Sequence, residues 1–393
     1  MSDLNNKKIL LGITGGIAAY KSAELVRSLK NVGADIRVVM TQSAQEFIST
    51  TTLQALSGHP VYTSLWSEDV SNGMSHIELS RECDIILVAP ATANFMSKIV
   101  TGQADDLLST LCLAKDCPLA IAPAMNRQMW ENPATKRNVA KLASDGVILL
   151  GPEAGDQACG EVGLGRMSEP AHITRELISI FQPKLLESKR VLVTAGSTYE
   201  AIDAVRGITN ASSGKMGYAV AQAAREAGAK VKLISGRSTL TPPNGMEIID
   251  VVSALDMYEA VMKKIDEVDI FISVAAVADF RVRNPQKHKI KKTDNTLDLE
   301  FDQNPDILRE VSCRENPPFC VGFSAESQNI EEFAKKKRLE KQIPLIAANL
   351  VTSALGSETN ALMLIDEHGS HQLSESSKIE QARSLVKHIS KLI

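Results

Sequence analysis

The sequence predicts an α/β protein of two domains with largely parallel sheets, and three observations predict it. Short apolar runs alternate with stretches of helical period. That alternation begins afresh near Arg190, and 393 residues exceed one typical domain.

The first run, Ile9–Thr14, ends in Gly15-Gly16 and leads into an amphipathic stretch from Ile17 to Asn31. Ile36–Met40, Ile85–Ala89 and Leu119–Ala122 follow, each a buried-strand pattern succeeded by a helical segment. Parallel strands covered by helices on both faces satisfy such a pattern, which reads as Rossmann-like. Thr174–Ser188 reads as a helix, then Pro183 and a charged connector, so the expected domains are 1–189 and 190–393. The second opens with the apolar strand and glycine turn Arg190–Gly196. Helix Tyr218–Ala227 and strands Val231–Ile234 and Ile270–Val274 continue it. Asp279–Asp298, with Lys287, Lys289, Lys291 and Lys292, is too hydrophilic for core. It reads as a loop or hairpin flap at a strand end, where α/β sites form.

Composition narrows the function classes. Hydrophobic residues make up 44% of the chain and aromatic residues only 4%, so aliphatic cores are expected. A net charge of -4 argues against a nucleic-acid binder or a polybasic membrane anchor, and leaves anionic ligands to local clusters. The cysteines show no C-x-x-C and no zinc spacing. The polar start carries no signal pattern, and no apolar run has transmembrane length. A cytoplasmic protein with reduced thiols is expected.

In the first half, Gly12–Ala18 follows a strand and opens a helix, where backbone N–H groups can hold phosphate around Gly15 and Gly16. After Met40, Thr41-Gln42-Ser43 stands where a dinucleotide site places an acid. Hydroxyls there suit a phosphate oxygen, which favours a mononucleotide such as FMN over NAD. Thr92, Asn94, Asp105, Asp106 and Ser109 add polar groups at other strand and helix ends. Asn126, directly after a strand, can hold a carboxylate or amide. The glycine-rich stretch from Gly155 to Met167, carrying Cys159, reads as a mobile lid.

Gly15–Lys21, His76, Pro-Ala-Met-Asn at 123–126 and the Ala-Cys-Gly stretch together resemble the flavin-dependent cysteine decarboxylases of coenzyme A biosynthesis. The resemblance implies that FMN oxidises the cysteinyl side chain of 4'-phosphopantothenoyl-cysteine, that CO2 is lost, and that the product is then reduced. It implies FMN contacts from Gly15, Gly16, Thr41, Ser43, Thr92 and Ser109. His76 becomes the base of the oxidation, Asn126 orients the departing carboxylate, Cys159 donates the final proton, and Arg166 assists the lid. Glu161 stands where aspartate is more usual.

The second half carries Thr194–Glu200 after a strand, then Arg206, Asn210, Ser212, Ser213 and Gly214-Lys215 before a helix. A P-loop is excluded, since its leading glycine and the hydroxyl after the lysine are absent. With Ser273–Asp279, Lys289, Asn304–Leu308, Phe323 at a strand end, and Lys337 and Lys341 a helical turn apart, this half resembles phosphopantothenate–cysteine ligase. The resemblance implies CTP and Mg2+, an acyl-cytidylate, and displacement of CMP by L-cysteine on 4'-phosphopantothenate. Lys289 steadies charge during phosphoryl transfer. Asn210 carries the acyl intermediate to product. Ser273, Ala275, Asp279, Lys289, Pro305, Asp306, Ile307, Leu308, Phe323, Lys337 and Lys341 contact the nucleotide, while the Mg2+ ligands stay unassigned. Ser197 and Ala204 replace usual prolines, and Ala211 a larger residue.

Joined, the two halves make a bifunctional enzyme whose ligase product is its decarboxylase substrate. Family resemblance adds a homo-oligomer, with trimer-based flavin domains and dimerising ligase domains. Two rivals predict otherwise. An NAD(P) oxidoreductase wants a charged ribose selector after Met40, and a nucleotide-sensing module has no use for His76, Asn126, Cys159 and Lys289. Of the three, only the flavin enzyme would be yellow.

Overall fold

Strand β1 (Lys8–Ile13) is buried at every residue except Lys8, as a strand covered on both faces must be. The computed structural model describes residues 3–65, 79–157, 160–243, 245–291, 297–326, 328–350 and 359–393. The chain divides into two units, Met1–Phe181 and Gln182–Ile393.

In the first unit β1 pairs in parallel with β2 (Asp35–Met40) and β4 (Ile85–Ala91). Adding β3 (Val61–Tyr62), β5 (Leu119–Pro123) and β6 (Ile148–Leu149) gives a parallel sheet of order β3-β2-β1-β4-β5-β6. Alternation sorts the side chains into two layers. Ile9, Leu11, Ile85 and Leu87 pack with helices Lys21–Asn31 and Pro170–Phe181. Leu10, Ile86 and Val88 pack with helices Ala93–Thr101, Leu107–Leu113 and Pro133–Ser144. The last helix of the unit starts at Pro170, earlier than the expected Thr174, because proline is at home in a first turn whose N–H groups lack helical partners.

The glycine-rich stretch expected as a loop forms an antiparallel hairpin, β7 (Glu153–Asp156) with β8 (Val162–Arg166). Its docking explains the glycines. A Cβ at Gly165, where φ is +136°, would sit 2.5 Å from the Met125 carbonyl oxygen. One at Gly163 would sit 2.4 Å from Arg127 Cδ. Met125 N donates to Gly165 O at 2.9 Å across this close approach.

The second unit repeats the design around β9 (Arg190–Ala195), with a small antiparallel pair, β10 (Tyr199–Ala201) and β11 (Gly207–Thr209), inserted before its first helix, Lys215–Glu226. The sheet also takes β12 (Lys230–Ser235), β13 (Glu247–Asp250) and β14 (Ile270–Ser273). A second pair, β15 (Phe280–Val282) with β16 (Phe301–Gln303), makes the basic flap a hairpin arm. β17 (Phe319–Glu326), β18 (Leu345–Leu350), β20 (Met363–Ile365) and β21 (Ser370–Gln372) complete the order β13-β12-β9-β14-β17-β18-β20-β21. β19 (Thr359–Asn360) and β22 (Ser376–Ser377) pair separately. The sheet is parallel through β18, and β20 and β21 run antiparallel. Helices Lys215–Glu226 and Lys378–Ile389 cover one face, and Ala254–Lys264, Ile307–Ser312 and Ile330–Glu340 the other.

Candidate active sites

In the first unit the strand order reverses between β1 and β4, and a crevice opens beyond their carboxyl ends. Thr14 stitches the two loops together. Its hydroxyl donates to Pro90 O at 2.8 Å and accepts from Thr92 N at 3.1 Å. Thr92 in turn caps helix Ala93–Thr101, accepting from Phe95 N at 3.2 Å. From β2, Thr41 N donates to Ile13 O at 3.0 Å, and its hydroxyl lies 3.2 Å from that of Ser43. A Cβ at Gly15 would fall 2.5 Å from Ser43 Oγ, so glycine permits the contact.

These contacts enclose a polar cleft of about 500 Å³ lined by Thr14, Thr41, Ser43, Thr92, Lys98 and Asp106. Lys98 Nζ lies 2.7 Å from Asp105 and 2.9 Å from Asp106, whose hydrogen bonds hold its ammonium above its ordinary range. A second recess, about 390 Å³, shares Thr92 and is lined by Gly15, Gly16, Tyr20, Met125 and Asn126. Asn126 caps helix Arg127–Glu131, its Oδ1 accepting from Met129 N at 2.9 Å. Arg166 also borders this recess and donates to Glu169 at 2.8 Å. Buried Lys21 reaches the same carboxylate at 2.8 Å and locks the opening helix to the segment after the hairpin.

Ser109 does not line the cleft. It is fully buried in a capping box with Asp106, accepting from Asp106 N at 3.2 Å while its own N–H donates to Asp106 Oδ1 at 2.8 Å. The neighbouring Asp105 and Asp106 face the opening instead. His76 and Cys159 lie outside the described residues.

In the second unit β14 and β17 pair with Ser273 opposite Gly322, and several of the predicted nucleotide residues lie on or after these strands. Ala275 N donates to Thr194 Oγ1 at 3.3 Å. The Asp279 carbonyl accepts from Asn304 N at 2.8 Å, and Asn304 Nδ2 returns to Ala278 O at 2.8 Å. After Pro305, Asp306 caps helix Ile307–Ser312 and accepts from Lys341 Nζ at 2.9 Å. Lys337 Nζ lies 3.5 Å from Ser324 Oγ on β17. Ile307 and Leu308 are buried in the core beneath, so only their backbone can meet a ligand. Phe323 is interior to β17, paired with Ala347, because the strand continues to Glu326 beyond the expected end.

The flap is tied down by one buried acid. Asp203 accepts from Arg206 Nη2 at 2.6 Å, from Val205 N and Arg206 N at 2.8 Å, and from Ile290 N at 3.0 Å. The Arg206 guanidinium, against the opposing effect of burial and with these N–H groups, holds the Asp203 carboxyl far below the usual carboxylate range. Arg206 also donates to Ile290 O at 3.1 Å. Lys289, itself exposed, is therefore presented from an anchored neighbour. Asn210 bridges to the loop after β14, its Nδ2 donating to Ala276 O at 3.1 Å and Val277 O at 3.2 Å.

Sequence reasoning missed Lys98, Asp203, Arg237 and Arg281. Arg237 stacks 3.6 Å over the Tyr199 ring, and Arg281 donates to Asn304 Oδ1 at 3.1 Å. Each gains meaning from partners brought by folding, and isolated charges carry no spacing signal.

Two doubly wound α/β units, each with a recess at the carboxyl edge of its sheet, the second lined by Tyr199, Asp203, Arg237, Ser253 and Arg281, define a two-site α/β enzyme. The flavoprotein family matches residues 1–182, and the DNA/pantothenate metabolism flavoprotein C-terminal domain matches residues 186–393. The coenzyme A biosynthesis bifunctional protein of Vibrio vulnificus is 48% identical over 100% of both chains. That of Escherichia coli K12 is 45% identical over 93% of this chain and 92% of its own. A crystal structure titled as the C-terminal domain of such a bifunctional protein aligns with 53% of this chain and 97% of that one, at 38% identity and TM-score 0.46. The chain belongs to the family of coenzyme A biosynthesis bifunctional proteins. It is an enzyme with decarboxylase and ligase activities.

Proposed function

We propose that residues 190–393 ligate L-cysteine to 4'-phosphopantothenate through an acyl-cytidylate made from CTP, and that residues 1–189 decarboxylate the product to 4'-phosphopantetheine with FMN. The observation that carries this reading is the presence, on one chain matching its relatives from end to end, of a cleft lined by hydroxyls in the first unit and, in the second, of Lys337 and Lys341 held beside β17 and Asp306.

The first cleft fits FMN by its donor set. Thr14, Thr41, Ser43 and Thr92 suit a phosphate and its polar chain, while Tyr20, Met125 and Met129 offer apolar surface for a ring. Both recesses fall within the roughly 300–1,000 Å³ of cofactor pockets. FMN supplies reversible two-electron redox chemistry there. Asn126, its Oδ1 spent on Met129 N, would orient the substrate carboxylate with its amide nitrogen. His76 would take a proton and Cys159 return one. Ile17 and Tyr20 at the recess are 64% and 60% exposed, which supports a homo-oligomer whose neighbour completes the site. The flavin units would assemble as trimers and the ligase units as dimers.

In the second cleft Lys289 would steady the phosphoryl groups, with Lys337 and Lys341 adding charge. Asn210 would hold the acyl group for cysteine. Among the described residues no group of three carboxylates gathers at this edge, which fits an Mg2+ held mainly by phosphates and water. No described helix is long and apolar enough to cross a membrane. The proposed place of action is the cytoplasm.

The test supplies 4'-phosphopantothenate, cysteine, Mg2+ and CTP to the purified chain and follows CO2 and CMP. Both should appear, with Cys159→Ser blocking completion of the decarboxylase reaction and Lys289→Gln suppressing CMP. CMP without CO2 from flavin-loaded protein leaves the ligase alone. Neither product, where a known enzyme succeeds, overturns the reading.

A further inference from the structure

The turn between β20 and β21 holds a side-chain cluster that neither proposed reaction uses. Asp366 closes β20 with a side chain only 2% exposed. Its Oδ1 accepts from the backbone N–H groups of His368 at 2.8 Å and Gly369 at 3.1 Å. Those bonds fix the carboxylate plane and turn Oδ2 toward two imidazoles. His388 Nε2, from the C-terminal helix Lys378–Ile389, lies 2.7 Å from Oδ2, and His371 Nε2, from β21, lies 3.2 Å from it. The two rings are 4.7 Å apart between centroids. One donor atom from each residue falls within 4.8 Å of both others.

Two imidazole nitrogens and one carboxylate oxygen, from three separate elements, form a donor set suited to a borderline divalent ion. Donors around a tetrahedral zinc, at about 2.0–2.1 Å from it, stand roughly 3.4 Å from each other. The separations here, from 2.7 Å to no more than 4.8 Å, bracket that value. Backbone donors to the far oxygen supply the outer support that ligating carboxylates usually have. His388 is largely covered and His371 is 41% exposed, leaving a path for the ion and a position for water.

We propose that Asp366, His371 and His388 form a binding site for a zinc-class divalent cation, clipping the β20–β21 turn to the C-terminal helix. In sheet order the site is separated from β14 and β17, where the nucleotide residues lie, by β18. The ion stabilises the second unit by joining elements distant in sequence, and takes no part in either reaction. Mg2+ is a poor occupant, because it prefers octahedral oxygen ligands.

The test titrates metal-stripped, full-length protein with Co2+ in excess Mg2+ and without nucleotide, then displaces the cobalt with Zn2+. One Co2+ per chain is expected, with ligand-field absorption and no thiolate charge-transfer band. His371→Gln should weaken binding by more than the roughly 10-fold that even an outer-shell change costs, and His388→Gln likewise. A double Cys83→Ser, Cys117→Ser variant should bind as the parent does. Zn2+ should raise the unfolding temperature of the parent and leave that of His371→Gln unmoved. Circular dichroism confirms that the exposed-site variant is folded. Cobalt uptake that survives both histidine changes, or no stoichiometric uptake by the folded parent, overturns the proposal.

Discussion

In the first unit, loops meet through the Thr14 hydroxyl, which donates to the Pro90 carbonyl and accepts from the Thr92 N–H, and through close approaches that need glycine at 15, 163 and 165. In the second, ionised pairs carry more of that work, Asp203 with Arg206 and Asp306 with Lys341, although the first unit has its own buried pair in Lys21 and Glu169. Neutral short-range contacts are indifferent to salt and to pH across most of the range. Charged ones respond to both, and long side chains can rearrange around a ligand.

The sharpest way to break this contrast is Gly165→Ala. The new Cβ meets a carbonyl oxygen at 2.5 Å with φ at +136°, so backbone must move. Strain of about 1–3 kcal/mol is expected from the conformation alone. Flavin absorbance and CO2 release should collapse while CMP release persists, measured on the same preparation.

Arg206→Ala attacks the other side. It strips Asp203 of its cation and loosens the segment carrying Lys289. Displacing a catalytic group by about 1 Å can cost 10²-fold in rate, so ligation kcat should fall by up to about 100-fold. Decarboxylation of supplied 4'-phosphopantothenoyl-cysteine should be unchanged.

Acid should separate the units next. The Arg190 guanidinium and backbone hold the Asp269 carboxyl down at about 2. Burial would raise Asp366, but hydrogen bonds from His388, the His368 backbone and His371 outweigh it and bring it to about 2. Unfolded aspartate titrates near about 3.9. Folded values lying lower, this stability is complete above about 4 and is lost as pH falls towards 2. In the first unit Asp105 and Glu169 are the only carboxyls, among the described residues, held low. Trp130 is buried in that unit. On acidification helical circular dichroism should therefore decline before tryptophan emission shifts, and simultaneous changes would erase the distinction.

The smallest effect is expected from Ser109→Ala, which removes the bond from Asp106 N to the Ser109 hydroxyl while Asp106 still caps the helix, and should cost about 0.5–1.5 kcal/mol of stability. Flavin affinity should stay near its parental value. A large loss of affinity at parental stability would return Ser109 to the cleft.

Much of the architecture is legible along the chain. The runs at Ile9, Ile36, Ile85 and Leu119 are strands because alternate side chains fill two separate cores, a demand that leaves them apolar throughout. Ser273, Pro305 and Asp306 lie at strand and helix ends, where turn chemistry is visible locally. The hairpin Glu153–Arg166 was not legible, since its strands are held by docking onto Met125 and Arg127 rather than by strand-like composition. Phe323 reads as a strand end because Ser324 and Glu326 are polar, yet pairing with β18 carries the strand past both. Ser109 looks like an exposed cap and is a buried one, a difference set by what packs over the helix start.

By itself the sequence determined the two-unit parallel-sheet plan and where along each strand its chemistry must sit. Those depend on periodicity and on glycines and hydroxyls within a few residues. Tertiary structure alone decided which charges became partners. Asp203 meets Ile290, Asp306 meets Lys341, and Asp366 meets His388 across long stretches of chain. Hydrogen bonds need partners within about 3 Å, and in water and salt charges are screened beyond about 10 Å, so such pairs do not form until the core brings them together.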